Sequence, residues 1–245
     1  MPGPLVALFS APYVLGRPLV DALLADGGQR RIDEPMAEPP TSEEQVLDPF
    51  AYLDGDDPVP VMAPPLGPGE KELEVGEFGA LTWFIVLSDH LDARQALDAV
   101  DGWGGGSYTA FEREGRTCLR SAFRGDTAAD TEEMAVALDA WARAVPATTA
   151  SVSRSGALVA LAPCDPGADA TGPERGGAQD ALIYPVVRTL FTLDAMESGA
   201  PRCVAAAFVR GFTTAELLAL DTSTADPGLL DERTRTASNA CRAGA

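Results

Sequence analysis

The spacing of apolar positions changes period between residues 102 and 146, and the rest of the chain is organised around that stretch. Residues 107–112 and 117–124 alternate as strands with one buried face do, and Glu114-Gly115 between them supplies a hairpin turn. Pairing across a two-residue turn predicts Tyr108, Ala110, Leu119 and Phe123 on one face, with Phe111 and Cys118 on the other. From Met134 the spacing becomes helical: Met134, Leu138, Trp141 and Val145 form one stripe. Asp126 or Thr127 caps this helix, Asp130, Glu132 and Glu133 suit its positive end, Arg143 falls in its last turn and Pro146 stops it.

Gly102, Gly104, Gly105 and Gly106 surround Trp103 and predict a tight entry into the first strand. A phosphate loop does not fit. These glycines precede a strand, they miss the G-x-G-x-x-G spacing, and no Lys-Ser/Thr pair follows.

Upstream, an apolar run over 5–9 and Pro12-Tyr13 lead into a helix over 14–25 that ends at Gly27-Gly28; a shorter helix follows over 29–37. Pro39 and Pro40 break the chain, and Thr41 with Glu44 reads as a capping box for a turn or two over 45–47. Residues 48–68, rich in proline and acid, predict an extended connector on the surface. Phe78, Leu81, Trp83, Phe84, Ile85 and Leu87 predict an apolar helix over 75–91, and Asp92 caps a second over 93–100. A second hairpin is expected over 151–154 and 157–164, around Ser155-Gly156. Residues 168–177 read as a linker. A long helix over 178–198 has Pro185 near its first turn or at a kink, and helices follow over 201–212, 214–220 and 229–242, with Thr213 or Thr214 and Glu216 at a helix start.

The fold class is therefore α+β: a helical N-terminal segment, two β-hairpins around an amphipathic helix in the core order α-α-β-β-α-β-β, and a C-terminal helical unit tied by a disulfide. The expected divisions are 1–68, the end of an upstream domain; 69–167, the α+β domain; 168–177, the linker; and 178–245, the C-terminal unit.

Composition narrows the possible partners. Asp and Glu number 37 against 18 Lys and Arg over 245 residues, a formal charge of −19. Such a chain is repelled by nucleic acid and by anionic lipid. No apolar run approaches 18 residues, so no membrane span is expected, and no secretory signal pattern stands at the N-terminus. Cys118, Cys164, Cys203 and Cys241 include no C-x-x-C pair. Three pairings are open; Cys118–Cys164 and Cys203–Cys241 are favoured because each lies within one local unit, and each would contribute about 4 kcal/mol at most. Disulfides imply an oxidising compartment, whereas four free thiols would imply the cytosol.

Candidate chemistry is sparse. The one histidine, His90, stands at the end of an apolar helix between Asp89 and Asp92, and no G-x-S-x-G serine accompanies it. One histidine and scattered cysteines argue against a zinc site. Asp54, Asp56 and Asp57 lack the alternation, central glycine and closing glutamate of a calcium loop and read as a solvated turn. Glu77, on an otherwise apolar segment, is the first carboxylate to examine, and helix-start electrostatics explains it equally well. No catalytic or metal-binding residue is assigned, and no cofactor is expected in this chain. The residues singled out are structural: Gly102, Trp103, Gly104, Gly105, Pro39, Pro40, Thr41, Glu44 and the four cysteines.

Pro12-Tyr13 with Gly16 and Leu23, Gly27-Gly28, the run from Pro39 through Pro49 with Tyr52, and Gly102-Trp103-Gly104-Gly105 together resemble the C-terminal half of a group of neutral zinc metallopeptidase-like proteins. These are exported or lipid-anchored in actinobacteria and related bacteria. The resemblance covers about residues 4 to 165 and is most specific in the proline-to-leucine stretch. The group carries H-E-x-x-H upstream of the matched region, has His where this chain has Asp48, and has Asp where it has Gly106. Its zinc ligands and catalytic glutamate carry over to no position here. The resemblance implies a non-catalytic accessory or interaction region of an exported protein, with a protein or peptide partner at the cell envelope. Alternatively it implies part of an active zinc endopeptidase whose catalytic half lies upstream. A fragment, a late gene start or a lost peptidase half would each account for the abrupt apolar beginning.

Overall fold

A computed structural model of the chain describes residues 3–145, 150–167, 177–220 and 227–243. It is mixed α+β: helices gather against one face of a single five-stranded antiparallel sheet.

The sheet is built on the hairpin of β2 (Trp103–Arg113) and β3 (Arg116–Gly125), turning at Glu114-Gly115, both at positive φ. Its register pairs Ala110 with Leu119, Phe111 with Cys118 and Gly106 with Phe123. Directly opposed residues share a face, so the expected division of side chains between the two faces holds. The second hairpin, β4 (Ser151–Ser155) and β5 (Leu158–Ala162), joins through β5. One strand was not expected: β1 (Lys71–Gly76) pairs with β2 at the other edge, giving the order β1-β2-β3-β5-β4. The helix expected over 75–91 is correspondingly shorter, α5 (Ala80–Ser88). Val75 lies in the edge strand and Glu77 in the connection, so Glu77 is not a helical residue.

Phe123, Val159 and Leu161 face the helices and are fully buried. Against them lies α7 (Ala128–Ala144), whose Met134 and Leu138 are buried while Trp141 is only half-buried. Thr127, not Asp126, is its cap, in a reciprocal box with Asp130. Behind it stand α5 and α6 (Ala93–Val100), the latter capped by Asp92 as expected.

The N-terminal helix α1 (Gly3–Gly27) is longer than expected and runs through Pro12 and Pro18. By length and composition it is the one helix among the described residues that could cross a membrane, although 28% of its most apolar window is buried. The stretch scanned as broken by Pro12, and the structure joins it. Next come α2 (Gln29–Ala37), α3 (Glu44–Leu47) and an unexpected α4 (Pro49–Asp54), formed because the Asp48 side chain accepts from Phe50 N and Pro49 suits a first helical position. The extended connector therefore begins only after Asp54.

The helix expected over 178–198 is two: α8 (Ala178–Ala181) and α9 (Ile183–Glu197). Pro185 lacks the N–H that would bond the Ala181 carbonyl, and the break falls between them. The C-terminal unit is α10 (Cys203–Arg210), α11 (Thr214–Leu218) with a Thr213–Glu216 capping box, and α12 (Pro227–Ala243). Disulfides join Cys118 to Cys164 and Cys203 to Cys241, the favoured pairing, and no cysteine is free. Pro146 and all of the expected linker except Gly177 lie outside the described residues.

One contiguous buried cluster draws on all three expected parts, from Ala7 and Leu15 through Phe84 and Leu138 to Phe208 and Ala237. The core is thus shared across the expected divisions at 68 and 177.

Candidate functional site

The Pro39–Leu47 stretch, read from sequence as a helix start, acts instead as a clasp. Glu43 accepts hydrogen bonds from Thr82 N at 2.7 Å and Thr82 Oγ1 at 2.9 Å, capping α5 from 39 residues away. Glu44 reaches the other way, its Oε1 accepting from Trp103 N at 3.1 Å. Gln45 accepts from Thr41 N and donates to the Asp56 carbonyl, while Thr41 Oγ1 meets Asp57. Thr41 and Glu44 therefore do not form a capping box: the Glu44 carboxylate is used across the fold.

The glycine turn meets this clasp. Gly102 stands at φ 70°, and its carbonyl accepts from Asp126 N at 2.9 Å. A Cβ on Gly104 would stand 2.7 Å from Asp126 Oδ1, and one on Gly105 would stand 2.2 Å from the Val59 carbonyl. Side chains are thus excluded where the turn presses against Asp126 and the connector. Trp103 is buried and anchors the turn.

The result is a convergence that no local spacing announced. Carboxylate oxygens of Glu44, Asp56 and Asp126 all lie within 4.8 Å of one another. They help wall a cavity of about 320 Å³ that also has Asp48, Asp54, Asp101, Arg188 and Arg202 on its lining. Glu44 is only 9% exposed and receives one hydrogen bond, from Trp103. Burial, reinforced by the Asp126 and Asp56 charges, pushes its carboxyl up to about 8. Burial and then Asp56 likewise raise Asp126.

Arg188 also lines this cavity; it is 5% exposed, hydrogen-bonded to Asp101 and 3.6 Å from Asp48. Burial opposes its charge, but Asp101 and Asp48 outweigh burial and hold it ionised. Its Nε has no hydrogen-bond partner. Arg202 pairs with Asp54 and sits 4.8 Å over the Phe50 ring. Asp54 and Asp57 are thereby engaged elsewhere, and only Asp56 of that acidic turn joins the cluster.

The three carboxylates suit a hard cation. Calcium binds oxygen at about 2.3–2.6 Å, so its ligands stand up to about 5 Å apart, as these do. A donor set without nitrogen or sulfur does not favour zinc. His90 is remote in role: its Nε2 lies 3.4 Å from Asp89, its Nδ1 has no partner, and its ring packs edge-on to Trp141. Glu77 is raised by burial and by Glu43, and it lines a separate cavity beside Trp103. The Cys118–Cys164 bridge packs with Phe111 in a small satellite cluster.

Residues 65–184 match a family model described as a domain of unknown function (DUF8575). That match includes Asp126 and stops short of Glu44 and Asp56. No curated protein and no solved structure matches the chain.

Proposed function

We propose that this protein is a non-catalytic, disulfide-braced interaction module acting in an oxidising compartment, and that a divalent cation, calcium by donor chemistry, completes its fold at Glu44, Asp56 and Asp126. The observation that carries the reading is their convergence from α3, the connector and the end of β3 on one cavity, with Glu44 buried and accepting from Trp103 N. The cation would neutralise the cluster and hold α3, the connector and the end of β3 together. Two disulfides support an extracellular or cell-envelope location. The likeness to neutral zinc metallopeptidase-like proteins supports an accessory role beside such an enzyme, with a protein or peptide as partner.

The test is thermal unfolding of the disulfide-intact protein in EDTA and in millimolar calcium. At 50-fold excess over Kd, binding contributes about 2 kcal/mol, or roughly 4–8 °C in a chain of this size. Glu44→Gln and Asp126→Asn should abolish the shift. An unchanged midpoint for the wild type removes the cation from the reading. Stoichiometric zinc retained after dialysis would instead favour the second reading, part of a zinc endopeptidase completed by an upstream half.

A further inference from the structure

The core-facing side of α1 carries Ala7, Ala11, Leu15, Pro18, Ala22 and Leu23. Its opposite side carries Leu5, Phe9, Tyr13, Gly16, Val20 and Leu24, an uncharged stripe about 29 Å long. This stripe is open: Tyr13 is 87% and Phe9 67% exposed, and a Cβ built on Gly16 meets nothing within 4 Å. The exposed parts of Leu5, Phe9, Tyr13, Val20 and Leu24 leave on the order of 600 Å² of largely apolar surface uncovered, somewhat short of the ~800 Å² per partner of a standard interface. That is the upper end for the largest patch on a monomer, and such patches often mark an interaction site.

The stripe is also symmetric in sequence. Its positions mirror about the midpoint between Val14 and Leu15: Leu5 with Leu24, Phe9 with Val20, Tyr13 with Gly16. An antiparallel copy of α1 laid on this face would set the largest ring of each helix over the one residue without a side chain on the other. Glycine at mid-helix weakens a helix, and nothing in the chain's own packing requires Gly16 to be glycine. A bilayer suits the face less well. The opposite side of α1 is committed to the core, so the helix cannot span while folded, and a charge of −19 opposes anionic lipid.

We infer that α1 is an isologous dimer interface, pairing antiparallel with α1 of a second copy about an axis through residues 14 and 15. Such self-complementary, two-fold contacts are the commonest form of homo-oligomer, and the small residue at the centre lets the helices approach closely.

Sedimentation equilibrium of the full, oxidised chain across ~1–100 μM reads the state directly. The wild type should sediment as a dimer. Tyr13→Glu and Phe9→Glu should each weaken association at least about 100-fold, since each buries two unpaired charges at the contact. Gly16→Leu should weaken it at least about tenfold by filling the recess for Tyr13. Gly16→Ala should raise the monomer's thermal midpoint while also weakening association. All three sites lie on the open face of α1 in the monomer, so circular dichroism should be unchanged; Tyr13→Ser replaces any glutamate variant that fails to fold. A wild type that stays monomeric overturns the inference, as does a dimer that survives both glutamate substitutions. A monomer that floats with neutral phosphatidylcholine vesicles, and loses this with Tyr13→Glu, overturns it in favour of a lipid surface.

Discussion

The Glu43 carboxylate caps α5 by binding Thr82 through both its backbone N–H and its hydroxyl, at 2.7 and 2.9 Å. Helix α5 is almost wholly buried and has no capping side chain of its own at Gly79. The Thr82 N–H at its first turn is satisfied from outside, by a residue whose neighbour Glu44 does the same for the Trp103 N–H. Two adjacent acids thus tie the N-terminal segment to the sheet entry and to the core helix.

Glu43→Ala should lower stability by about 1–2 kcal/mol, the range for loss of a helix cap. Glu43→Gln keeps an acceptor and should lose less. Urea titration of the three proteins decides; equal midpoints would show that water replaces the carboxylate at no loss.

Glu44 titrates at about 8 when folded, above its ordinary value near 4.5. Between those values the folded protein holds a proton that the unfolded chain lacks. The group's contribution is therefore complete below about pH 4.5 and is lost as pH rises through 8. In EDTA, the wild type should lose more stability than Glu44→Gln between pH 5.5 and 8.5. Calcium, which displaces that proton, should stabilise more at pH 8.5 than at 5.5. Parallel pH profiles for the two proteins would count against a buried, protonated Glu44.

Glu70 behaves in the opposite sense. Hydrogen bonds from Arg120, and then from Gly67 N, hold its carboxyl below the usual range. Its contribution is present above the ordinary value and is lost as pH falls through the folded one. Arg120 also donates to the Pro65 carbonyl and lies 4.7 Å over the Phe111 ring, so it fastens the connector to the sheet. Arg120→Met should open residues 57–69 to limited proteolysis roughly tenfold faster, with the sheet intact by circular dichroism. Cleavage at the wild-type rate would show that Ser107 and Thr109, which donate to the Met62 and Pro64 carbonyls, suffice.

Replacing Cys203 and Cys241 by serine should remove about 2–4 kcal/mol. Loss of the Cys118–Cys164 bridge should be of similar size. Non-reducing peptide mass analysis should find these two linkages and no mixed pairing.

Much of the sheet was legible because the β2–β3 register is set locally, by strict alternation on each side of a positive-φ turn. The favoured disulfides followed from proximity in the chain. Strand β1 escaped although Leu73 and Val75 alternate with Glu72 and Glu74: the alternation is only two apolar residues long, and both stay half exposed on an edge strand. Val75 then blended into the run that begins α5, and the helix start was set too early. The carboxylate cluster escaped for a different reason. Glu44, Asp56 and Asp126 have no sequence spacing in common, and Glu44 carried a plausible local role that its side chain does not perform. Pro12 suggested a break in α1 where the fold holds the helix together across it.

Helix α1 packs against α8 and α9, elements that begin at Ala178 and Ile183. It also meets α2, α3, α4 and α5, so its seat is assembled from both nearby and remote segments and is complete only when residues 178–197 are in place. The β2–β3 hairpin rests on local contacts, whereas the core needs elements far apart in sequence. A fold wired in this way makes its longest-range contact a condition for closing its core, so loosening either the first helix or the last helical unit should loosen the other.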